Sequence, residues 1–252
     1  MMTLLIRADQ GDWGGAQLSD VEAVARSAAA SFGAFHENEA VAIALQPTPS
    51  EDDLPMTHRA TSPSGEFVIR LNVRGNLWAK LAYQFAHEFC HVLAVPRTWK
   101  NDRFAWIEEA LCETASLFAL RSMAKGWAIE PPYPNWRDYC SSLADYEAEW
   151  TSDTARRLPP GLPLSSWLVD HLTFLEADPY RRDDNTIIAT ELLPVFERDR
   201  AAWRAVRFLH TWPRSSVAPF ADFMNGWAMA CPAECHHVVE SIAVLLGVGN
   251  DR

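Results

Sequence analysis

The sequence predicts an α+β fold: a small mixed sheet with helices that carry a cluster of titratable residues, followed by an all-helical C-terminal half. Three observations predict it. Apolar runs of strand length occur only before residue 74. Beyond that point helical periodicity replaces period-two alternation, and Pro/Gly clusters at 131–134 and 159–163 break the chain into helix-sized pieces. The 252 residues are 48% hydrophobic and include 11 Trp and 12 Phe, enough apolar material for a sizeable core.

Each element has its own signal. Residues 3–7 form a short apolar strand that ends in the turn-rich stretch 9–15. Ser19 or Asp20 can cap a helix running to about Phe35, with Val21, Val24, Ala25 and Ala28 on one face. Residues 40–45 are a second strand, closed by a loop over 47–55. Gly65 opens a third strand over 67–73, which puts Phe67, Ile69, Leu71 and Val73 on one face and Arg70, Asn72 and Arg74 on the other. Two long helices follow. The first, 77–94, lies between Gly75-Asn76 and Pro96, and the second, 104–125, can be capped by Asn101 or Asp102. Further helices are expected over 136–150, 164–177, 186–210, 217–229 and 233–246. The expected organisation is therefore an α+β half, 1–128, and a helical half, 129–252.

The charge excludes one class of function. With 33 acidic and 22 basic side chains, the formal charge is −11. The longest basic run is the pair Arg181-Arg182, so no phosphate-binding surface is written into the chain. No leader and no membrane-spanning stretch is visible. The five cysteines are dispersed and odd in number, which fits a reducing compartment, and the expectation is a cytoplasmic protein.

The strongest chemical signal is His87-Glu88-Phe89-Cys90-His91. On a helix, residues four apart share a face, so the two imidazoles can converge on one ion. Neutral imidazole suits Zn²⁺, and the intervening Glu88 can act on a water at the metal's open side. A catalytic zinc needs a third protein ligand from elsewhere. A third histidine six residues after His91 is absent, since Arg97 stands there and Ala94 holds the place of the accompanying Gly. Asp102 lies in the following loop but lacks a Gly-Thr context. The next helix, with Trp106-Ile107-Glu108-Glu109 and then Glu113, offers carboxylates.

The H-E-x-x-H motif followed by W-x-x-E-x-x-x-E, with Glu109 eighteen positions after His91, resembles the gluzincin zinc metallopeptidases, which include thermolysin and the zinc aminopeptidases. The resemblance covers roughly residues 1–128. It implies that Glu109 is the third zinc ligand and that Glu113 accepts the other ring N–H of His87; Glu108, turned about 100° from Glu109 on the helix, is the runner-up ligand. It also implies that the 67–73 strand is the sheet edge on which a peptide is bound by strand addition. Ala110 departs from the pattern, where Gly usually follows the ligand. The expected cofactor is one Zn²⁺ per chain and the expected partner a peptide or protein substrate. Glu88 is the expected general base, taking a proton from water and passing it to the leaving amine.

An oxyanion stabiliser must come from outside the metal helices. Tyr139, Tyr146, His210, His236 and His237 are the candidates, and Tyr83 lies one turn before His87. Cys90 and Cys112 are read as small buried hydrophobes rather than ligands. The i, i+4 pair Cys231 and Cys235, with His236-His237, is read as a packed helix start, not a second metal site. The aromatic stripe Phe196, Trp203, Phe208, Phe220, Phe223 and Trp227 is read as core. Two other functions fit the same residues: a catalytically silent interaction module, and a regulatory protease with a single protein substrate.

Overall fold

A computed structural model describes residues 3–33, 40–58, 60–94, 103–212 and 218–248. The fold is α+β, with one four-stranded mixed sheet and a mostly helical C-terminal part. Two compact units interleave along the chain: Met1–Val92 with Ala115–Glu149, and Leu93–Thr114 with Trp150–Arg252. The expected boundary near residue 128 coincides with the C-terminus of a helix, Ala105–Trp127, to which both units contribute.

The first unit holds the sheet, in the order β1-β2-β4-β3. Strands β1 (Thr3–Ala8), β2 (Ala40–Pro47) and β4 (Phe67–Leu71) are parallel. Ile6, Ile43, Leu45, Ile69 and Leu71 are buried, and α1 (Leu18–Ser31) buries Val21, Val24, Ala25 and Ala28. This is the alternation and helical spacing read from the sequence. The helix starts one residue before Ser19, with Gln17 at the cap position and no side-chain cap. It ends at Ser31, where Gly33 takes φ +82° and Gly33 N–H donates to Ala30 O at 3.3 Å. Phe35, the expected helix end, lies outside the described residues, as do Arg97, Asn101 and Asp102.

One expectation about the sheet is corrected. Strand β4 is not an edge, because β3 (Met56–Thr57) pairs antiparallel with it through Met56–Arg70 and Thr57–Ile69. The flanking His58 N–H donates to Val68 O at 2.9 Å and Ser62 N–H to Glu66 O at 2.8 Å. These segments occupy the backbone groups that strand addition to β4 needs, so the edge position passes to β3. A two-residue strand carries too little alternation to be read from sequence.

The β1–α1 connection is tied to the end of the sheet by two glycines. Gly75 N–H donates to Trp13 O at 2.7 Å, and Gly14 takes φ +63°. A Cβ on Gly14 would lie 2.5 Å from Gly75 N, so the close approach of two backbones requires glycine here.

Within the same unit, α2 (Trp78–Leu93) and the C-terminal part of α3 (Ala105–Trp127) pack with α1 through Phe32, whose ring lies 5.7 Å from Phe89 and 5.8 Å from Phe118. A 3-10 turn, Pro134–Trp136, then leads to α4 (Tyr139–Thr151). Trp136 sits 5.3 Å from Trp78 and 5.5 Å from Trp127, binding the start of α2 and the end of α3 into one aromatic cluster.

The second unit comprises the N-terminal part of α3 with α5 (Leu164–Ala177), α6 (Arg182–Arg198), α7 (Phe220–Ala230) and α8 (His236–Leu245). The single helix expected over 186–210 is two elements. It breaks at Asp199, which is extended at φ −142° and accepts from Ala201 N–H at 2.8 Å to cap a 3-10 segment, Arg200–Phe208. Asp is a strong capping residue, and its local hydrogen bond outcompetes helix continuation. Helix α7 begins after Pro219, and residues 213–217 ahead of it lie outside the described residues. The aromatic stripe forms core as expected: Phe196 stacks on Trp203 at 4.1 Å, and Trp227 Nε1–H donates to Ala205 O at 2.8 Å. Phe208 and Phe220 are half-buried. All five cysteines are free thiols.

Candidate metal centre

Helix α2 buries Leu81, Ala82, Phe85, Ala86, Phe89 and Cys90, and leaves His87 and His91 half-buried. The 3.6-residue period thus sets an apolar stripe against the core and turns the two imidazoles along one side. Their ring centroids lie 5.2 Å apart at an interplanar angle of 71°. Glu88 is buried, and its backbone carbonyl accepts a hydrogen bond from Thr57 Oγ1 at 2.8 Å. This bond fastens the edge strand β3 to the middle of the histidine motif.

The N-terminus of α2 is fixed by Tyr139. Its hydroxyl accepts from Ala79 N–H at 3.3 Å and donates to Asn76 O at 3.4 Å, satisfying backbone groups that the first turn leaves without intrahelical partners. Ala79 lies about 12 Å along the helix axis from His87, at a rise of about 1.5 Å per residue. The Tyr139 hydroxyl is therefore engaged at the far end of α2 from the histidines. Tyr146 is placed differently. Its ring meets Tyr83 edge-on at 5.7 Å, one turn before His87, so it is the oxyanion candidate that the first unit itself sets beside the histidine helix. Arg121 holds α4 here, donating from Nε to Glu147 Oε1 at 2.9 Å.

Helix α3 approaches α2 through a buried hydrogen bond from Ser116 Oγ to Tyr83 O at 2.9 Å. One turn beyond Tyr83 on α2 is His87, and one turn before Ser116 on α3 is Cys112. The ligand atoms of His87, His91 and Cys112 all lie within 4.8 Å of one another, and among the described residues this is the group of metal-ligating side chains so gathered. Cys112 is buried as expected, and it also lies where it could serve as a ligand, which the sequence does not single out because a lone cysteine inside an apolar helix has the signature of core. Its spacing of three residues from Glu109, which puts both on one side of α3, was the available signal. Two imidazoles and a thiol form a donor set suited to a metal ion of zinc's softness.

The three glutamates of α3 are all buried. Glu113 Oε1 accepts from Thr186 Oγ1 at 3.2 Å. Glu108 Oε2 lies 2.7 Å from His210 Nε2, and both side chains are 2% exposed. Glu109 stands between them in the chain and faces the same way as Cys112 and Glu113, while Glu108 is turned about 100° from it. His210 is thus committed at Nε2 to a carboxylate inside the second unit.

The remaining histidine candidates make local bonds. His236 Nε2 bonds with Cys231 O at 3.0 Å, and the exposed His237 lies 3.8 Å from Asp199. Burial pushes the Cys231 thiol up to about 12 and raises Cys235 as well, so both are protonated at neutral pH. A neutral thiol is a poor metal ligand, in keeping with the packed helix start expected there.

Comparisons of the chain with protein-family models, with curated proteins and with solved structures found no match. Among the described residues, no helix is long and apolar enough to cross a membrane.

Proposed function

We propose that the chain is a zinc-dependent hydrolase that cleaves peptide bonds. The observation that carries this reading is the gathering of His87, His91 and a donor from α3 around a glutamate-bearing motif. A zinc ion bound there would lower the pKa of water and polarise a substrate carbonyl. Glu88, one residue after the first histidine, is the general base: it removes the proton from water and returns it to the leaving amine. Tyr146 is the residue proposed to steady the developing oxyanion. The edge strand β3, anchored to Glu88 by Thr57, supports binding of an extended peptide by strand addition. The dispersed free thiols support a reducing, cytoplasmic setting.

Two residues compete as third ligand. The motif resemblance favours Glu109, and the distances favour Cys112. Cobalt substitution distinguishes them, because a thiolate ligand adds an intense sulfur-to-metal absorption in the near ultraviolet that Cys112→Ser removes and Glu109→Gln leaves. The hydrolase reading is tested by Glu88→Gln, which is expected to keep the metal and to lower turnover of a peptide substrate by at least a hundredfold. Unchanged turnover in that variant would remove Glu88 from the mechanism.

A further inference from the structure

We propose that Glu22 and Arg26, on α1, form a guard that closes the β1 edge of the sheet to strand pairing with a second copy of this chain. The proposal is independent of the metal centre. Strand β1 stands at the end of the sheet order, and among the described residues no further strand pairs with it. In a parallel ladder both backbone groups of one residue point to the same side, and those of the next residue point to the other. Asp9 N–H donates to Leu45 O at 2.8 Å, so the residues in step with Asp9 face β2, while Leu4, Ile6 and Ala8 face the open side. Two of these outward groups are taken by α1. Ala8 N–H donates to Glu22 Oε1 at 2.9 Å, and Ile6 O accepts from Arg26 Nη2 at 2.9 Å. Arg26 Nη2 also donates to Glu22 Oε2 at 2.7 Å, which joins the two side chains, one helical turn apart, into a single unit.

The pair copies one residue of a neighbouring strand. Such a residue would offer its N–H to Ile6 O and its C=O to Ala8 N–H, and the guanidinium and carboxylate supply that donor and that acceptor. A strand cannot form both bonds without displacing them. The need for a guard lies in β1 itself. An edge strand presents unpaired backbone groups as a template for another chain, and it is usually blunted by lysine, proline or a bulge. Residues 3–6 are Thr-Leu-Leu-Ile, with no charge and no proline, and Leu5 is 58% exposed. Arg7 is the one charge of the strand, and it is paired with Glu66 and Asp9. The matching occupant is the same strand of a second copy, because two β1 edges related by a twofold axis present the same apolar run to each other. With this edge closed, the open edge of the sheet is β3.

The test is the mass of the full chain in solution, by sedimentation equilibrium from about 1 to about 100 μM, a range in which exposed strand edges associate. Glu22→Ala with Arg26→Ala opens the edge and is expected to raise the mass with concentration, towards twice that of the parent. Glu22→Gln with Arg26→Lys keeps an acceptor and a donor and is expected to stay at the parent mass. Adding Leu5→Lys to the alanine pair sets like charges against each other across the contact and is expected to abolish the association. If the alanine pair does not fold, Arg26→Ala alone, which frees Ile6 O, repeats the comparison. An alanine variant that keeps the parent mass throughout, association that Leu5→Lys leaves unchanged, or equal association of the Glu22→Gln, Arg26→Lys variant overturns the proposal. So does a parent that already pairs through this edge, shown by a dimer that Leu5→Lys dissolves.

Discussion

Replacing His210 by Ala is expected to be among the most destabilising single changes in the second unit. The imidazole and the Glu108 carboxylate meet at 2.7 Å with each side chain only 2% exposed, so solvent cannot take over when one partner is removed. Breaking a buried pair of this kind costs about 3–5 kcal/mol, most of it the desolvation of the partner left behind. For a chain of this size each kcal/mol lowers the melting temperature by about 2–4 °C, giving an expected drop of about 6–20 °C. Glu108→Gln retains an acceptor for the ring, so it should cost about 1 kcal/mol. The double variant His210→Leu with Glu108→Leu should recover most of the loss. Urea unfolding of the four proteins, followed by tryptophan fluorescence, provides the measurement. A loss below about 1 kcal/mol for His210→Ala would refute the reasoning, because it would mean that Glu108 finds water or another donor at once.

Two further predictions concern the first unit. Arg7 donates from Nε to Glu66 Oε1 at 2.5 Å and holds that carboxyl down at about 2. Its contribution is fully present above the ordinary carboxyl value of about 4.5 and is lost as pH falls through about 2. With half of Arg7 exposed, screening limits it to about 1 kcal/mol, and Glu66→Gln should flatten the difference in stability between pH 5 and pH 2 by that amount. Gly14→Ala places a methyl against the Gly75 backbone at positive φ and is expected to cost about 1–3 kcal/mol in thermal or chemical denaturation, whereas Gly126→Ala, with open space around the added carbon, should not destabilise.

The parts of the molecule legible in sequence are those set by local periodicity. The spacing of Phe67, Ile69 and Leu71 gave β4, and the apolar stripe of α2 fixed which side carries His87 and His91. Elements decided by long-range contacts were not legible. Met56–Thr57 becomes a strand only because β4 is there to pair with it, and this moves the sheet edge away from residues 67–73. Asp199 interrupts a helical pattern that continues on both sides, since a capping hydrogen bond competes with helix propagation over a single residue. Side-chain destinations were harder still. Tyr139 and Tyr146 are seven positions apart on α4 and equally suited on paper to an oxyanion role, yet one hydroxyl caps the start of α2 and the other ring packs beside Tyr83. Glu108 and His210, 102 positions apart, were each read as site residues in their own right, and the bond between them has no local signature.

The central claim is that His87 and His91 hold a metal ion together with a donor from α3. Metal analysis of the purified chain, prepared without chelators, tests it most directly. The account predicts about one zinc per chain, lost in His87→Ala and retained in Glu88→Gln. A chain that is metal-free and does not take up added zinc, or one whose zinc survives His87→Ala, would contradict it.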